Sequence, residues 1–240
     1  SRGLGDVYKR QITSSAIAKR LGDFICNFIA VVLGIIITFW GGDWLEERKK
    51  QNEVKEALSL VKNEILINRG YIEEMMKQEI FEHQGARYLL KYKDHIDEAS
   101  PDSLNKYNNF ALQIKEYIYV NDAMEMLKSS ALLQNIRNKE LATQLIKTYS
   151  TIKEAYKSAT FYENEKKNGY YKLMDNNEIQ DFFNKNTRNI SWTETWRFLF
   201  SYPEGISLIK NIYNNHSNPT QIYTHYLQVI DDAVAAIEYE

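Results

Sequence analysis

FICNFIAVVLGIIITFWGG, Phe24 to Gly42, holds no charged side chain, and the first acid after it is Asp43. As a helix rising 1.5 Å per residue this run is about 28 Å long, enough to cross the hydrocarbon core of a bilayer. Phe24 and Phe28 stand at one end and Phe39, Trp40 and Trp44 at the other, where amphipathic rings sit at membrane–water interfaces. Two other readings compete: a cleaved signal peptide and a buried core helix. A signal peptide ends in small residues at a cleavage site, whereas here the run passes through Trp40 and Trp44 into Glu46-Glu47-Arg48-Lys49-Lys50. An uncleaved anchor over 24–42 is therefore expected.

Beyond the span, Val54, Leu58, Val61, Ile65, Ile72 and Met75 recur at alternating steps of three and four, a coiled-coil-like stripe. Asn68 interrupts it and reads as a solvent-exposed break rather than a buried register-setting Asn. No Pro or Gly falls between Leu45 and Ile67, so a long membrane-proximal helix is expected over 43–93, with a kink at Gly70. A loop follows near Asp94–Pro101. The region 102–240 then carries repeated helix starts: Asp122-x-x-Glu125, Asn138, Ser191-x-x-Glu194 and Asn218-Pro219-x-Gln221. Leu141, Leu145, Tyr149, Ile152, Tyr156 and Ala159 form one apolar face. Trp192, Trp196 and Phe200 form another, read as core rather than as a ligand box. Ile222, Tyr226, Ile230, Ala233 and Ile237 form the last. The predicted fold is all-α: a transmembrane helix continuing into a long helix, then a helical bundle.

Toward the N-terminus, Asp6-Val7-Tyr8-Lys9-Arg10-Gln11 is what GAT-GTG-TAT-AAG-AGA-CAG encodes, which looks like a transposon-end adapter used for sequencing libraries. Residues 1–11 are read as a preparative scar, outside fold reasoning, and 12–23 as an N-terminal tail; the native start is expected to be missing. Without Arg2, Lys9, Arg10 and Asp6, the 30 basic and 32 acidic residues become 27 and 31. That acidity argues against a nucleic-acid binder, which needs a concentrated basic face. The 10 Gly and 3 Pro among 240 residues favour long helices over many-turned β architecture. Cys26, inside the span, has no partner cysteine in the chain.

The arrangement resembles an uncharacterised family of bacterial single-pass proteins, frequent in Bacteroidota and known only as a domain of unknown function. The matching residues are Gly34, Trp44, Glu46, Glu47, Arg48 and Lys49 around the span. Glu64, Ile65 and Asn68 follow at the end of the first helical stretch, within Lys62-Asn63-Glu64-Ile65. A second block comprises Leu127, Ser129, Ser130, Ala131, Leu132, Ile136, Asn138, Leu141 and Tyr149. Relatives are expected to carry Gly near Ala131, where this chain departs. The resemblance implies an inner-membrane protein with its helical region in the periplasm. Local charge argues the other way, since Lys19 and Arg20 precede the span while Arg48, Lys49, Lys50 and Lys55 follow it. Long domains translocate largely regardless of flanking charge, so the periplasmic side is favoured.

Nothing in the chain matches a catalytic or cofactor motif. No H-E-x-x-H, G-x-G-x-x-G, P-loop or G-x-S-x-G occurs among its residues. His83, His95, His216 and His225 lack metal-ligand spacing. His83 beside Glu79 and Glu82 reads as a solvated helix face, as do the pairs Lys49-Lys50 and Lys166-Lys167. Ser129-Ser130 reads as a helix end. The triplets at Asn189 and Asn215 fit a glycosylation sequon that matters only in a eukaryote. No catalytic, cofactor or metal residue is assigned. Ala30, Gly34, Thr38 and Gly42, at four-residue steps, form a candidate self-association face in lipid, leading to a homodimer whose seam continues along Val54, Leu58, Val61 and Ile65. The expected partners are thus the bilayer, a second copy and an unidentified protein. The expected function is that of a membrane-anchored interaction or scaffold module, the alternative a sensory input domain binding a small ligand.

Overall fold

The computed structural model describes residues 4–185, 190–215 and 218–239, with side chains from Phe24 onward. The side chains of the expected scar and tail, including Lys19 and Arg20, lie outside the described residues, as do Asn189, His216 and Ser217. Among the described residues all regular structure is helical: α1 (Leu4–Tyr92), α2 (Pro101–Lys106), α3 (Asp122–Ser129), α4 (Leu132–Asn135), α5 (Lys139–Met174), α6 (Asn177–Lys185), α7 (Trp192–Phe200), α8 (Pro203–Asn215) and α9 (Pro219–Glu238), with short 3-10 turns at Ile96–Glu98 and Phe110–Leu112. Helix α1 passes through Gly70 without interruption.

The chain divides into two compact units, Ser1–Val54 and Lys55–Glu240. In the first, the uncharged run is helical and every residue from Phe24 to Lys50 is exposed. It is the one described segment long and apolar enough to cross a membrane.

The second unit is built on three long helices. Contacts from α1 to α5 climb both helices together, Glu64 to Tyr149, Asn68 to Tyr156 and Glu82 to Lys166, so these helices run parallel. Contacts to α9 run in opposite order, Lys62 to Glu238, Arg69 to Asp231 and Glu79 to Tyr223, so α9 is antiparallel to α1. The α1 stripe is buried as its spacing predicts: Val54, Leu58, Val61, Ile65, Ile72 and Met75 are all closed off from solvent within the chain. They are therefore spent on the chain's own core, and the seam expected between two copies has no free residues there.

The α5 face from Leu141 to Ala159 is likewise buried. On α9, Tyr226, Ile230, Ala233 and Ile237 are buried as expected, but Ile222 is only half-buried and Tyr223 is the enclosed residue. The Tyr223 hydroxyl reaches the buried Glu79 carboxylate, a partner that Ile222 lacks the chemistry to engage.

A second cluster gathers Leu89, Ile96, Leu104, Tyr107 and Phe110 with Trp196, Leu199, Leu208, Ile209 and Ile212. Trp196 and Phe200 belong to this core, and Trp192 packs against it. Close approach fixes one glycine: a Cβ on Gly205 would lie 2.1 Å from the Leu199 carbonyl oxygen, so no side chain fits where α8 turns back on α7.

Three helix starts obey local rules. Asn138 accepts from the Glu140 and Leu141 N–H groups, Ser191 and Glu194 form a reciprocal capping box, and Asn218 accepts from Gln221 with Pro219 at the first helical position. The box expected at Asp122 and Glu125 does not form. Helix α3 begins at Asp122 itself, and its flanking Asn121 makes no side-chain cap. Ser129 ends α3 as expected. Ala131, which follows, is the one non-glycine residue with positive φ among the described residues, at 59°.

Candidate functional site

The stripe on α1 does not stop at Met75. Continuing the same three-and-four steps reaches Glu79, Glu82, Ala86 and Leu89, all buried. Together with Asn68 and Glu64, the stripe therefore places polar groups inside the unit, where each must find a partner or incur the cost of desolvation. The partners come from α3, α5, α9 and the extended segment 113–121.

Asn68, expected at the surface, is fully buried. Its side-chain nitrogen donates to the Val120 carbonyl at 2.7 Å and to the Glu64 carbonyl at 3.1 Å. Its oxygen accepts from Val120 N–H at 3.4 Å and from the Tyr156 hydroxyl at 3.0 Å. One amide thus serves the backbone of Val120 as a neighbouring β-strand would. Val120 of the extended segment 113–121 is thereby fixed to α1 with both its peptide groups paired.

Glu64, four residues earlier, does the same for α3. Its carboxylate accepts from Ala123 N–H at 2.7 Å and Met124 N–H at 3.2 Å, and from the Tyr149 hydroxyl. The start of α3 is thus capped by a carboxylate from 59 residues upstream in the chain, which explains the idle Asp122 box. A carboxylate is also the charge a helix N-terminus favours.

Further along, Glu79 and Glu82 are buried rather than solvated. Glu79 accepts from the Tyr223 hydroxyl. Glu82 accepts from the Tyr162 hydroxyl at 2.6 Å, from Gln78 at 2.8 Å and from Lys166 Nζ at 2.9 Å on both oxygens. Lys166, also expected on a solvated face, is 1% exposed. Its ammonium sits between Glu82 and Glu163, the latter at 3.0 Å. Glu163 also accepts the Lys115 backbone N–H at 3.1 Å and Gln78 Nε2 at 3.2 Å. Burial pushes the Glu163 carboxyl above the usual range, against the opposing pull of Lys166. The Tyr149, Tyr162 and Tyr223 hydroxyls are pushed far up, first by burial and then by the carboxylates they bond, so they act as neutral donors.

Where segment 113–121 crosses α1 and α5, a cleft of about 280 Å³ opens over this assembly, lined by Tyr71, Glu74, Gln78, Tyr117, Ile118 and Tyr156 among others. Gln78 connects the two levels. Its oxygen accepts the Tyr117 hydroxyl at 3.2 Å while its nitrogen donates to Glu82 and Glu163 below.

The remaining sequence candidates are scattered. His83 stacks on Tyr213 with ring centroids 4.7 Å apart, and desolvation and then nearby Arg87 push its imidazole below the ordinary value. His95 and His225 are exposed. Among the described residues no group of three or more His, Cys, Asp or Glu side chains is placed to hold a metal ion. Lys49 and Lys50 lie on the surface, paired with Glu53 and Glu46. Ala30, Gly34, Thr38 and Gly42 are all exposed on α1. Thr38 donates to the Gly34 carbonyl at 2.7 Å, and among the described residues nothing lies within 4 Å of where a Cβ on Gly34 or Gly42 would sit.

No family model, curated protein or solved structure matches this chain.

Proposed function

We propose that this chain is a membrane-tethered helical module without catalytic work of its own, held at a bacterial inner membrane by Phe24–Gly42. In this reading its 55–240 unit lies on the periplasmic side and presents a surface to a protein partner. The observation that carries the tether is the exposure of the apolar run: Phe24, Phe39 and Trp40 are each about two-thirds exposed or more. An apolar surface of that extent in a monomer calls for lipid or another apolar partner. Its length and aromatic ends suit lipid. The scaffold role draws support from the polar residues of the second unit, whose bonds run to one another and to segment 113–121. Such a network fixes a shape.

Carbonate extraction of the expressed full chain tests the tether. Retention in the membrane pellet is expected, and release into the supernatant would remove the proposal. Self-association through Ala30, Gly34, Thr38 and Gly42 is part of the same reading. A membrane dimerisation reporter should lose signal on Gly34→Leu, which fills the space a close helix pair requires.

A second reading, sensing of a small ligand, is favoured by the tyrosine-lined cleft. Pockets of this kind, with aromatic walls and a few polar groups, are the usual form of small-molecule sites.

A further inference from the structure

We propose that the cleft between α1, α5 and segment 113–121 binds a small organic ammonium cation, held by the rings of Tyr71 and Tyr117 above the buried Tyr156 and by the acidic surroundings of Gln78. The inference deepens the sensing reading and rests on it in taking this cleft as a binding site. It stands apart from membrane tethering.

Size comes first. At about 280 Å³ the cleft falls at the lower edge of small-molecule pockets, which begin near ~300 Å³, so the occupant is compact. Wall chemistry comes second. Three lining residues are tyrosines, whose ring faces carry the negative quadrupole that attracts ammonium groups. The Tyr117 hydroxyl is turned to Gln78 and that of Tyr156 to Asn68. Both hydroxyls are engaged by the protein; Tyr156 is buried and closes the floor, so the exposed Tyr71 and the half-buried Tyr117 supply the ring surface on offer.

Charge comes third and decides the sign. At the rim Glu74 and Glu116 outnumber Lys115. Beneath Gln78 the carboxyl groups of Glu82 and Glu163 share the single ammonium of Lys166, with Glu79 on the same face of α1. The field of Glu163, Glu82 and Glu79 reaches the cleft wall itself, since after burial it is what raises the Tyr117 hydroxyl. An anionic ligand would meet this field with the wrong sign. A neutral apolar one would meet the rings but gain nothing from this field. A cation with methyl or methylene groups satisfies both the rings and the field.

Choline chloride and its uncharged isostere 3,3-dimethyl-1-butanol separate the charge from the shape. Each is titrated into the detergent-solubilised full chain at constant ionic strength, with melting temperature and calorimetric heat as readouts. Saturable binding and a raised melting temperature with choline, absent with the isostere, are expected. Tyr71→Ala and Glu74→Gln, both at exposed positions, should each weaken choline about tenfold, within the range of cation–π and charge contributions, while the unliganded melting temperature stays near wild type. Equal responses to choline and the isostere, both lost in Tyr71→Ala, would overturn the ammonium assignment and leave the cleft as a sensor of neutral ligands. No saturable response to either probe, or a choline response unaltered by both substitutions, would overturn the site.

Discussion

Helix α1 carries two stretches that invert the usual relation between polarity and burial. Residues 24–42 are uncharged and wholly exposed, whereas the stripe through 64–82 holds Glu64, Asn68, Glu79 and Glu82, each at most 5% exposed. The difference lies in what meets each surface. The second stretch is matched group for group by Tyr149, Tyr156, Tyr162, Lys166 and Tyr223 from α5 and α9. The first is met by nothing among the described residues of its own unit. A buried charge is tolerated where its partners are built in, and an exposed apolar face is tolerated where the surroundings are apolar too.

The comparison breaks most easily at Lys166. Lys166→Met removes the ammonium from between Glu82 and Glu163 and leaves buried carboxyl groups without their counter-charge, which costs about 3–5 kcal/mol. Urea unfolding should show that loss, and adding Glu82→Gln should recover part of it. The same cluster predicts a pH slope. The Glu163 carboxyl titrates higher in the folded protein than in the unfolded chain. Its contribution is therefore fully present below the unfolded value, near ~4.3, and is lost as pH rises through the folded value. Glu163→Gln lacks that titration, so its stability relative to wild type should improve from pH 4 toward pH 7. A difference that stays flat over this range would mean that Glu163 ionises as freely in the fold as in the unfolded chain.

A pair of leucines sharpens the contrast next. Leu33 in the first stretch and Leu60 beyond it are both 50% exposed, so exposure alone assigns them the same tolerance. Under the tether proposal they differ. Leu33→Arg puts a charge at the centre of the span, at about 2.5–3.5 kcal/mol on insertion scales. Leu60→Arg is a surface change worth within about 0.5 kcal/mol. A glycosylation-tagged insertion assay for the first and thermal melting for the second should separate them. Equal indifference to arginine at both sites would argue that water surrounds both.

The apolar half of this fold was open to reading in the sequence, because periodicity and local caps are nearest-neighbour rules. Leu58 to Met75, Leu141 to Ala159, Asn138, Ser191 and Asn218 all behave as their spacing requires. The polar half was not, because each of its residues is decided by a partner far along the chain. Asn68 and Lys166 look solvated until Val120, Tyr156 and Glu82 are placed beside them. The Asp122 box fails because Glu64 reaches α3 first. One signal was available: Asn68, Glu79 and Glu82 keep the register of the apolar stripe, and tyrosines at 149, 156 and 162 recur along the facing helix at steps of seven and six. Polar residues in core register opposite hydroxyl donors are candidates for a buried network rather than for a break in the core.

The last predicted effect concerns Ala131, and it is small and stabilising. The residue follows the last turn of α3, where Ser130 N–H returns to the Met126 carbonyl at 3.0 Å and Ala131 N–H to Lys128 at 3.2 Å. The chain can then leave toward α4 only by passing through the left-handed region, at φ 59°. For an L-residue with a Cβ that conformation costs roughly 1–2 kcal/mol, which glycine escapes. Part of the gain is offset because glycine frees the unfolded chain by about 0.4–1 kcal/mol. The Ala131 side chain is exposed, so deleting its methyl group forfeits little packing. Ala131→Gly should therefore stabilise the protein by about 0.5–1 kcal/mol, and Ala131→Val, whose branched Cβ crowds the same backbone, should destabilise it. Glycine is thus the residue that the local geometry favours at this position. Chemical denaturation of the two variants beside wild type measures both signs, and a loss of stability in Ala131→Gly would show that the turn between α3 and α4 does not hold its left-handed conformation in solution.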